Sequence, residues 1–410
     1  MVNLASRQDS SIVYNKESKV DKMAAKKLGM QRGNNEEGFI RPKSSNGLPM
    51  SLSTGKKMEN DIDFSQLPKN VLDTISQKLN FDDLFDFASV CREWRVVKMI
   101  YWKKFLESQS PLLVETTSYA KKFYSFYSIP DQRAYLSEMS YFWGLYYCGS
   151  SSGYIIMAGA NNTLQLMNPF TRKQKIIDIS TIRNYLNYCA CRVLLAFAKG
   201  SSEFVIVASC KSSFSLHVYQ SRNSSWVTYI ERANPLKVVD FVVLHNIIYV
   251  ITDKAQVGVL SLNSSSLKFL KLKNTPNITY SFLNLLSCDG KLLVVVFTPG
   301  RLLDVYMIDF RTMSYAKLEN LGDIALFYSR NKCYALANPR KWGYESNSVY
   351  YINCMSIECE VYSGSNNELL KCIVPAGRRR PHRRSSRSRT YWLDWCFRNL
   401  HYEVDYSLVE

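Results

Sequence analysis

The segment Gly149-Ser-Ser-Ser-Gly153 has the Gly-x-Ser-x-Gly spacing of the nucleophile elbow found in many hydrolases. An elbow of this kind holds its serine on a strained turn that follows a strand and begins a helix. The next residues, Tyr154–Met157, are Tyr-Ile-Ile-Met, and this apolar run predicts a strand. We therefore interpret the segment as a flexible turn between two strands. A hydrolase acting through Ser151 is the alternative, and it requires a helix at this point.

The other residues that could carry catalysis are few and scattered. The chain has no phosphate-binding glycine loop followed by Lys-Ser or Lys-Thr, and no Rossmann glycine pattern after a strand. Its 11 cysteines include no Cys-x-x-Cys pair, and two of its four histidines, His217 and His245, adjoin apolar strand residues. Buried thiols and imidazoles of this kind are typical of structural roles in a reduced compartment. The sequence therefore predicts no enzyme, no cofactor and no metal site.

Residues 376–389, here called the arginine tract, contain seven arginines and no acidic residue. The seven are Arg378, Arg379, Arg380, Arg383, Arg384, Arg387 and Arg389. Pro381 and the intervening serines predict an exposed loop. Such a segment serves as a nuclear-import signal, contacts the phosphates of RNA or DNA, or is only a solvated loop, and these three alternatives stay open. We expect a location in the nucleus, the cytoplasm or both.

The net charge of +17 is concentrated in two segments. Residues 1–60 contribute +5 and the arginine tract +7, so the rest of the chain is only mildly basic, at +5. A broad nucleic-acid-binding face is therefore not predicted, and nucleic acid is not an expected partner of the folded body. No apolar run reaches the length of about 18 residues that a membrane span needs, so no membrane partner is expected either.

Residues 67–105 show the three- and four-residue spacing of apolar side chains that predicts helices. Pro68 suits the first turn of a helix because its φ is fixed and its missing N–H would be unpaired there. The first apolar stripe is Val71, Leu72, Ile75 and Leu79. The second is Phe87, Val90, Cys91, Trp94, Val97, Tyr101, Trp102 and Phe105. Two or three short helices of this size bury little surface alone, so the module gains stability from a partner or a neighbouring domain.

The order Leu-Pro, Ile, Leu, Asp-Leu, Val-Cys, Trp-Arg within residues 67–95 resembles the F-box family. The matching positions are Leu67, Pro68, Ile75, Leu79, Asp83, Leu84, Val90, Cys91, Trp94 and Arg95. The resemblance implies docking onto a Skp-type adaptor and, through it, onto cullin and RING subunits. It implies that the adaptor-facing surface includes Leu67, Pro68, Ile75 and Leu79. It implies that the small core and its edge include Leu84, Val90, Cys91 and Trp94. The alternative is an ordinary helical hairpin whose stripes only pack inward.

Short apolar runs separated by polar turns recur from Leu112 onward. One set of predicted strands starts 50, 43, 44 and 42 residues apart. This set is Tyr154–Met157, Phe204–Ala208, Ile247–Ile251, Lys291–Val296 and Cys333–Ala337. Repeats of about 40–50 residues are typical of propeller blades, each of which is a small antiparallel sheet. A β-sandwich with strands of similar length is the alternative.

We therefore predict a mainly β fold with a small α module, namely an N-terminal three-helix F-box followed by a β-propeller-like domain of about six blades. The predicted organisation is a disordered tail at 1–60, the F-box module at 61–107, the propeller-like domain at 112–375, the basic loop at 376–389, and a C-terminal segment at 390–410 that is a candidate for closing the propeller.

Three segments of the β-rich part, Gly149–Tyr154, Leu164–Thr171 and Cys333–Arg340, resemble plant F-box proteins with a kelch-like, β-propeller-like C-terminal domain of unknown function. The resemblance implies a substrate-recognition subunit of an SCF (Skp-cullin-F-box) E3 ubiquitin ligase, in which the propeller binds an unidentified target protein. The alternative is a nuclear or nucleic-acid-associated scaffold that uses the arginine tract.

Overall fold

The computed structural model describes most of the chain between Leu67 and Leu408. The described residues are 67–79, 83–98, 111–117, 123–138, 145–159, 161–169, 173–185, 191–210, 215–229, 237–278, 282–298, 301–329, 332–352, 358–374, 390–397 and 400–408. The disordered tail expected at 1–60 and the arginine tract lie outside the described residues.

The α module begins at Pro68, which precedes helix α1 (Lys69–Lys78) with an extended backbone, φ −56° and ψ 143°. The carbonyl oxygen of Pro68 accepts hydrogen bonds from the backbone N–H groups of Val71 and Leu72, so the first turn closes without a side-chain cap. Helix α2 (Asp83–Val90) and the helical residues 92–98 follow. The three helices predicted from the apolar stripes are therefore confirmed.

The core of the α module is small. Leu72, Phe87 and Val97, one from each helical segment, are buried, and the Phe87 and Trp94 rings lie with their centroids 4.5 Å apart. Four partly buried side chains surround these three: Leu67, Ile75, Leu79 and Trp94. A module with so few buried side chains is expected to have a small free energy of unfolding.

Six β-sheets of four or five strands follow, and we number them as blades 1–6. Blade 1 consists of Leu112–Thr117, Phe123–Ser128, Arg133–Glu138 and Thr390–Cys396. Blade 2 consists of Leu145–Ser151, Tyr154–Gly159, Thr163–Met167 and Gln174–Asp178. Blade 3 consists of Cys191–Ala198, Phe204–Cys210, Leu216–Gln220, Ser225–Tyr229 and Glu403–Val404.

The second half of the ring contains three further blades. Blade 4 consists of Val238–Leu244, Ile247–Thr252, Val257–Ser261 and Ser266–Phe269. Blade 5 consists of Phe282–Cys288, Lys291–Thr298, Arg301–Asp309 and Ser314–Lys317. Blade 6 consists of Ile324–Tyr328, Cys333–Ala337, Ser348–Ile352, Cys359–Ser363 and Leu369–Ile373. Within the described residues, 3₁₀ turns lie between strands at Ser180–Tyr185 and at Pro339–Trp342.

Blade 1 joins the two ends of the propeller. Its edge strand Thr390–Cys396, here called the closing strand, pairs antiparallel with Leu112–Thr117 and places Trp395 opposite Leu113. Strands of neighbouring blades contact one another around the whole ring, so the six sheets enclose a central channel. The six-bladed propeller predicted from the sequence repeat is confirmed, and its strands continue past residue 375.

The repeated strands found in the sequence are each the second strand of their blade in chain order. In blades 2–5 this strand lies inside the sheet, whereas Cys333–Ala337 is the edge strand of blade 6 that faces the channel.

Two strand pairings depart from the expected antiparallel pattern. Ile324–Tyr328 runs parallel to Ser348–Ile352, and Glu403–Val404 runs parallel to Cys191–Ala198. In blade 6 a hairpin places the second strand, Cys333–Ala337, on the channel side of the first strand. The third strand, Ser348–Ile352, joins the other side of the first strand. The chain must therefore cross over between them, and a crossover connection gives a parallel pair.

Aromatic packing joins the closing strand to blade 6. The buried ring of Phe327 is surrounded by four aromatic rings at centroid distances of 4.9 to 5.4 Å. The four are Tyr344, Tyr350, Trp395 and Phe397. Three of these contacts are edge-to-face, an arrangement that aromatic quadrupoles favour. The ring closure therefore depends on packing as well as on strand pairing.

Candidate functional site

The segment Gly149–Gly153 is buried. Ser151 ends the first strand of blade 2, Ser152 and Gly153 turn with φ of 51° and 74°, and Tyr154–Gly159 continues as a strand. A helix would have to follow the turn in a nucleophile elbow, and a strand follows instead. The expected turn between two strands is present, but the interpretation as a flexible turn is wrong because Ser150, Ser151 and Ser152 are buried.

The three serines join blade 2 to its neighbours. The hydroxyl of Ser151 donates to the carbonyl oxygen of Leu195 at 3.1 Å and accepts from its N–H at 3.0 Å. Ser152 donates to the same carbonyl oxygen at 2.7 Å, and Ser150 donates to the carbonyl oxygen of Trp395 at 2.8 Å. These hydroxyls are therefore committed to hydrogen bonds between blades, and among the described residues Ser151 Oγ bonds only to the backbone of Leu195.

Polar side chains from blades 3, 4 and 5 meet in the central channel. Arg192 Nη1 and Asp240 Oδ2 lie 2.7 Å apart, and both side chains are buried. Arg192 Nη2 donates to Asn284 Oδ1 at 3.1 Å, and the backbone N–H of Leu285 donates to Asp240 Oδ2 at 2.9 Å. This chain of contacts ties three neighbouring blades together.

Asp394 on the closing strand accepts hydrogen bonds from both neighbouring blades. The hydroxyl of Ser329 donates to Oδ1 at 2.7 Å, and the hydroxyl of Tyr147 donates to Oδ2 at 3.0 Å. The Tyr334 hydroxyl lies 3.2 Å from Oδ2, and the Trp395 N–H donates to Oδ1 at 2.8 Å. Burial raises the pKa of the Asp394 carboxyl, whereas these donors stabilise its charged form. Asp394 therefore fixes the closing strand between blades 2 and 6.

The sequence analysis did not single out Arg192, Asp240 or Asp394. Each is a single charged residue within an apolar strand, and this pattern is the local signal that could have identified them. A charge in such a strand must find a partner on folding, because an unpaired buried charge is very costly. The identity of the partner depends on the closed ring and is not readable locally.

The residues after the closing strand cover one end of the channel. Tyr402 donates its N–H to Ser152 Oγ at 3.1 Å and accepts from the N–H of Phe197 at 2.8 Å. Asp405 then donates its N–H to the carbonyl oxygen of Asn246 at 3.0 Å. These partners lie at the C-terminal ends of the first strands of blades 2, 3 and 4. The chain's own C-terminal segment therefore lies across this end of the channel.

Neither a metal site nor a reactive thiol is evident in the described part of the chain. No group of three or more His, Cys, Asp or Glu side chains in that part is arranged to hold a metal ion. Burial raises the pKa of the Cys288 thiol to about 11, so this cysteine is in its thiol form at neutral pH. In the channel, Arg192 and Asp240 pair with each other, and Asp394 accepts hydrogen bonds from neighbouring strands.

His217 is a buried histidine of blade 3, and its Nδ1 lies 3.0 Å from Thr228 Oγ1. Burial lowers the pKa of His217 from 6.5 to about 4. Between these pH values the unfolded chain binds a proton that the folded chain does not, so this histidine makes the protein less stable as pH falls. The expected structural role of His217 agrees with its burial, whereas His245 is exposed in a turn.

We expect replacement of His217 by Gln to weaken the pH dependence of stability between pH 6.5 and about 4. The measurement is the urea midpoint of the wild type and of His217→Gln at several pH values across this interval. His245→Gln is the matched control, because it removes an exposed histidine and should leave the wild-type slope. An unchanged slope in His217→Gln would contradict the assignment.

The residues of the F-box match differ in their exposure. Pro68 is exposed, and Leu67, Ile75, Leu79 and Trp94 are partly buried against the module core. Three valines of the module are exposed: Val71 by 38%, Val90 by 52% and Val96 by 53%. The module therefore keeps a small core and presents apolar side chains to solvent.

Val90 is 52% exposed at the end of helix α2, so it lies at the edge of the module and not in its core. Helix α2 ends at Val90 and residue 91 is not helical, so the apolar stripe that begins at Phe87 does not continue in register through this point. Cys91 is half-buried and not a core residue. The Leu84 side chain and the seven arginines of the arginine tract lie outside the part of the chain whose side chains are described.

No helix among the described residues is both long and apolar enough to cross a membrane. No curated protein matches the chain. Two family models do match it. The F-box domain model matches residues 64–99, and the model described as KIB1-4 beta-propeller matches residues 126–372, which is more than half of the chain. The chain therefore belongs to the KIB1-4 β-propeller family and carries an F-box domain in front of its propeller.

Proposed function

We propose that this chain is the substrate-recognition subunit of an SCF-type E3 ubiquitin ligase. The F-box domain docks a Skp-type adaptor, which links the chain to cullin and RING subunits, and the propeller binds a target protein. The observation that carries the proposal is the match of residues 64–99 to the F-box domain model, in a module where Pro68 and three valines are exposed beside a minimal core. Exposed apolar side chains on such a module are available for contact with a protein partner.

In this proposal the chain contributes no catalytic group. It holds the target near the ubiquitin-charged enzyme, so a target lysine meets the thioester at a high effective concentration. The serines of blade 2, which the sequence offered as a possible nucleophile segment, form hydrogen bonds between blades. The charged pair Arg192 and Asp240 likewise joins two blades, so both groups support a structural role. The target remains to be identified by experiment.

We expect the double substitution Leu67→Ala and Pro68→Ala to weaken adaptor binding by at least about tenfold, because apolar contacts at an interface centre often contribute more than about 1.4 kcal/mol. The measurement is co-purification of the adaptor, followed by titration calorimetry with the purified proteins. Neither change removes a buried core side chain, so the propeller should keep its thermal midpoint.

The matched control is Lys69→Ala with Asn70→Ala, which truncates two neighbouring exposed polar side chains of helix α1. This control should bind the adaptor as the wild type does. Undiminished adaptor binding by the Leu67 and Pro68 variant would argue against the proposal. Trp94→Ala is a poorer test, because loss of a packed aromatic side chain costs about 3–5 kcal/mol and unfolds a module this small.

Comparison of cells that express the intact chain with cells that express the Leu67 and Pro68 variant would identify the target. A target should co-purify with both chains but accumulate only with the variant, because the variant binds without recruiting the ligase. If no bound protein accumulates, the ligase part of the proposal fails even where binding by the propeller is retained.

A further inference from the structure

The central channel contains a cavity of about 10 Å³, large enough for about one water molecule. It is lined on one side by Cys148 and Gly149 of blade 2 and by Val193 of blade 3. The charged residues that line it are Arg192, Asp240, Lys332 and Asp394. The cavity is therefore a polar space at a point where blades 1, 2, 3, 4 and 6 converge.

Two buried atoms beside this cavity have no hydrogen-bond partner among the described residues. They are Nε of Arg192 and Oδ1 of Asp240. Arg192 is only 8% exposed and Asp240 only 1%, so bulk water does not reach these atoms. Their own ion pair leaves both atoms unused, because it joins Arg192 Nη1 to Asp240 Oδ2. Buried polar atoms of this kind normally bind a partner or an ordered water molecule.

Lys332 reaches the same cavity from blade 6. Its Nζ lies 5.2 Å from the centre of the Tyr334 ring, and no described carboxylate is within ion-pair distance of it. Burial lowers the pKa of the Lys332 ammonium, while the nearby carboxylates of Asp240 and Asp394 raise it and Arg192 lowers it. Lys332 itself is only partly buried, and its Nζ is not one of the buried polar atoms that lack a partner.

The two unpartnered atoms, Arg192 Nε and Asp240 Oδ1, determine which kind of molecule can bind in the cavity. It must accept a hydrogen bond from Arg192 Nε, and it must donate one to Asp240 Oδ1. A halide ion cannot donate, and the Asp240 carboxylate repels it. A metal cation cannot accept, and both cationic side chains repel it. A water molecule has the required donors and acceptors and also the required size.

We propose that this cavity is a binding site for one ordered water molecule, which accepts a hydrogen bond from Arg192 Nε and donates one to Asp240 Oδ1. The bound water adds a second link between blades 3 and 4, beside the direct ion pair of Arg192 and Asp240. Lys332 of blade 6 and Asp394 of blade 1 line the same cavity.

A high-resolution crystal structure of the full chain tests the proposal. We expect one solvent peak in the cavity, at about 2.7–3.2 Å from Arg192 Nε and from Asp240 Oδ1. An empty cavity would overturn the proposal. Crystals soaked in bromide distinguish an anion from water, because bromide scatters anomalously. An anomalous peak at this position would also overturn it, and a solvent peak without anomalous signal would support it.

Val193→Leu provides a second test in solution. It adds one methylene group to an apolar side chain that lines the cavity. Displacement of a water molecule that pairs charges should lower the thermal midpoint by about 2 °C or more. Filling an empty cavity would instead raise the midpoint, and that result would overturn the proposal. The change is small enough that the variant should still fold.

Discussion

A chain that ends at Arg389 is expected to lose its cooperative folding. The deletion removes the closing strand and the segment that follows it, and with them the buried side chains of Trp395, Phe397, Tyr402 and Val404, besides the buried Cys396 thiol. Burial of each side chain contributes about 1.5–3 kcal/mol. The sum, about 6–12 kcal/mol, is as large as the whole free energy of unfolding of a typical domain, about 5–15 kcal/mol. The deletion also leaves Tyr147 and Ser329 without the Asp394 carboxylate.

Thermal unfolding followed by circular dichroism measures this effect, together with the fraction of protein that remains soluble. Leu408→Ala is a suitable control, because this residue of the same segment is half exposed and its truncation should change the free energy of unfolding by less than about 0.5 kcal/mol. A truncated chain that still unfolds in one sharp transition at the wild-type midpoint would show that the ring is stable while open. Blades 2–6 would then form an independent folding unit.

The number of blades could be predicted from the sequence because the second strand of most blades is packed on both faces. Strands such as Phe204–Cys210 are buried along their whole length, so they read as continuous apolar runs with a regular spacing. The closing strand gave no such signal. It follows the arginine tract and pairs with a strand that lies far earlier in the chain, at Leu112–Thr117. No local property of either segment specifies which distant strand completes blade 1.

The helical stripes of the α module contain its three buried core residues, Leu72, Phe87 and Val97. They also contain Val90, which is 52% exposed where helix α2 ends, and periodicity alone cannot place a helix end. The channel charges show a different limit. Arg192, Asp240 and Asp394 lie on strands from different parts of the chain, and only closure of the ring brings their partners within reach. A sequence indicates that such a charge needs a partner, but not which one.

The second large effect concerns the buried pair Arg192 and Asp240. We expect Arg192→Met to lower the free energy of unfolding by about 3–5 kcal/mol, because it leaves the Asp240 carboxylate uncompensated in the channel. Asp240→Leu should cost a similar amount, because it leaves the Arg192 guanidinium without its counter-charge and Leu285 N–H without its acceptor. The measurement is urea unfolding of each purified variant.

The double variant Arg192→Met with Asp240→Leu separates the two explanations for these losses. If the cost comes from isolated buried charges, removal of both should recover most of it, since apolar residues of similar size often replace a buried ion pair without net loss. The coupling energy from the double-mutant cycle should then exceed about 2 kcal/mol. Strictly additive losses would contradict this reasoning, because they would mean that the two side chains stabilise the channel independently.

The hydrogen bonds around the pair limit how much of the free energy of unfolding the double variant recovers. Asn284 Nδ2 has no described partner even in the wild type, and Asn284 Oδ1 loses its Arg192 donor in the variant. A residual loss is therefore expected in the double variant, because the Asn284 Oδ1 acceptor and the Leu285 N–H donor both lose their partners, and one such buried group usually costs about 1–3 kcal/mol.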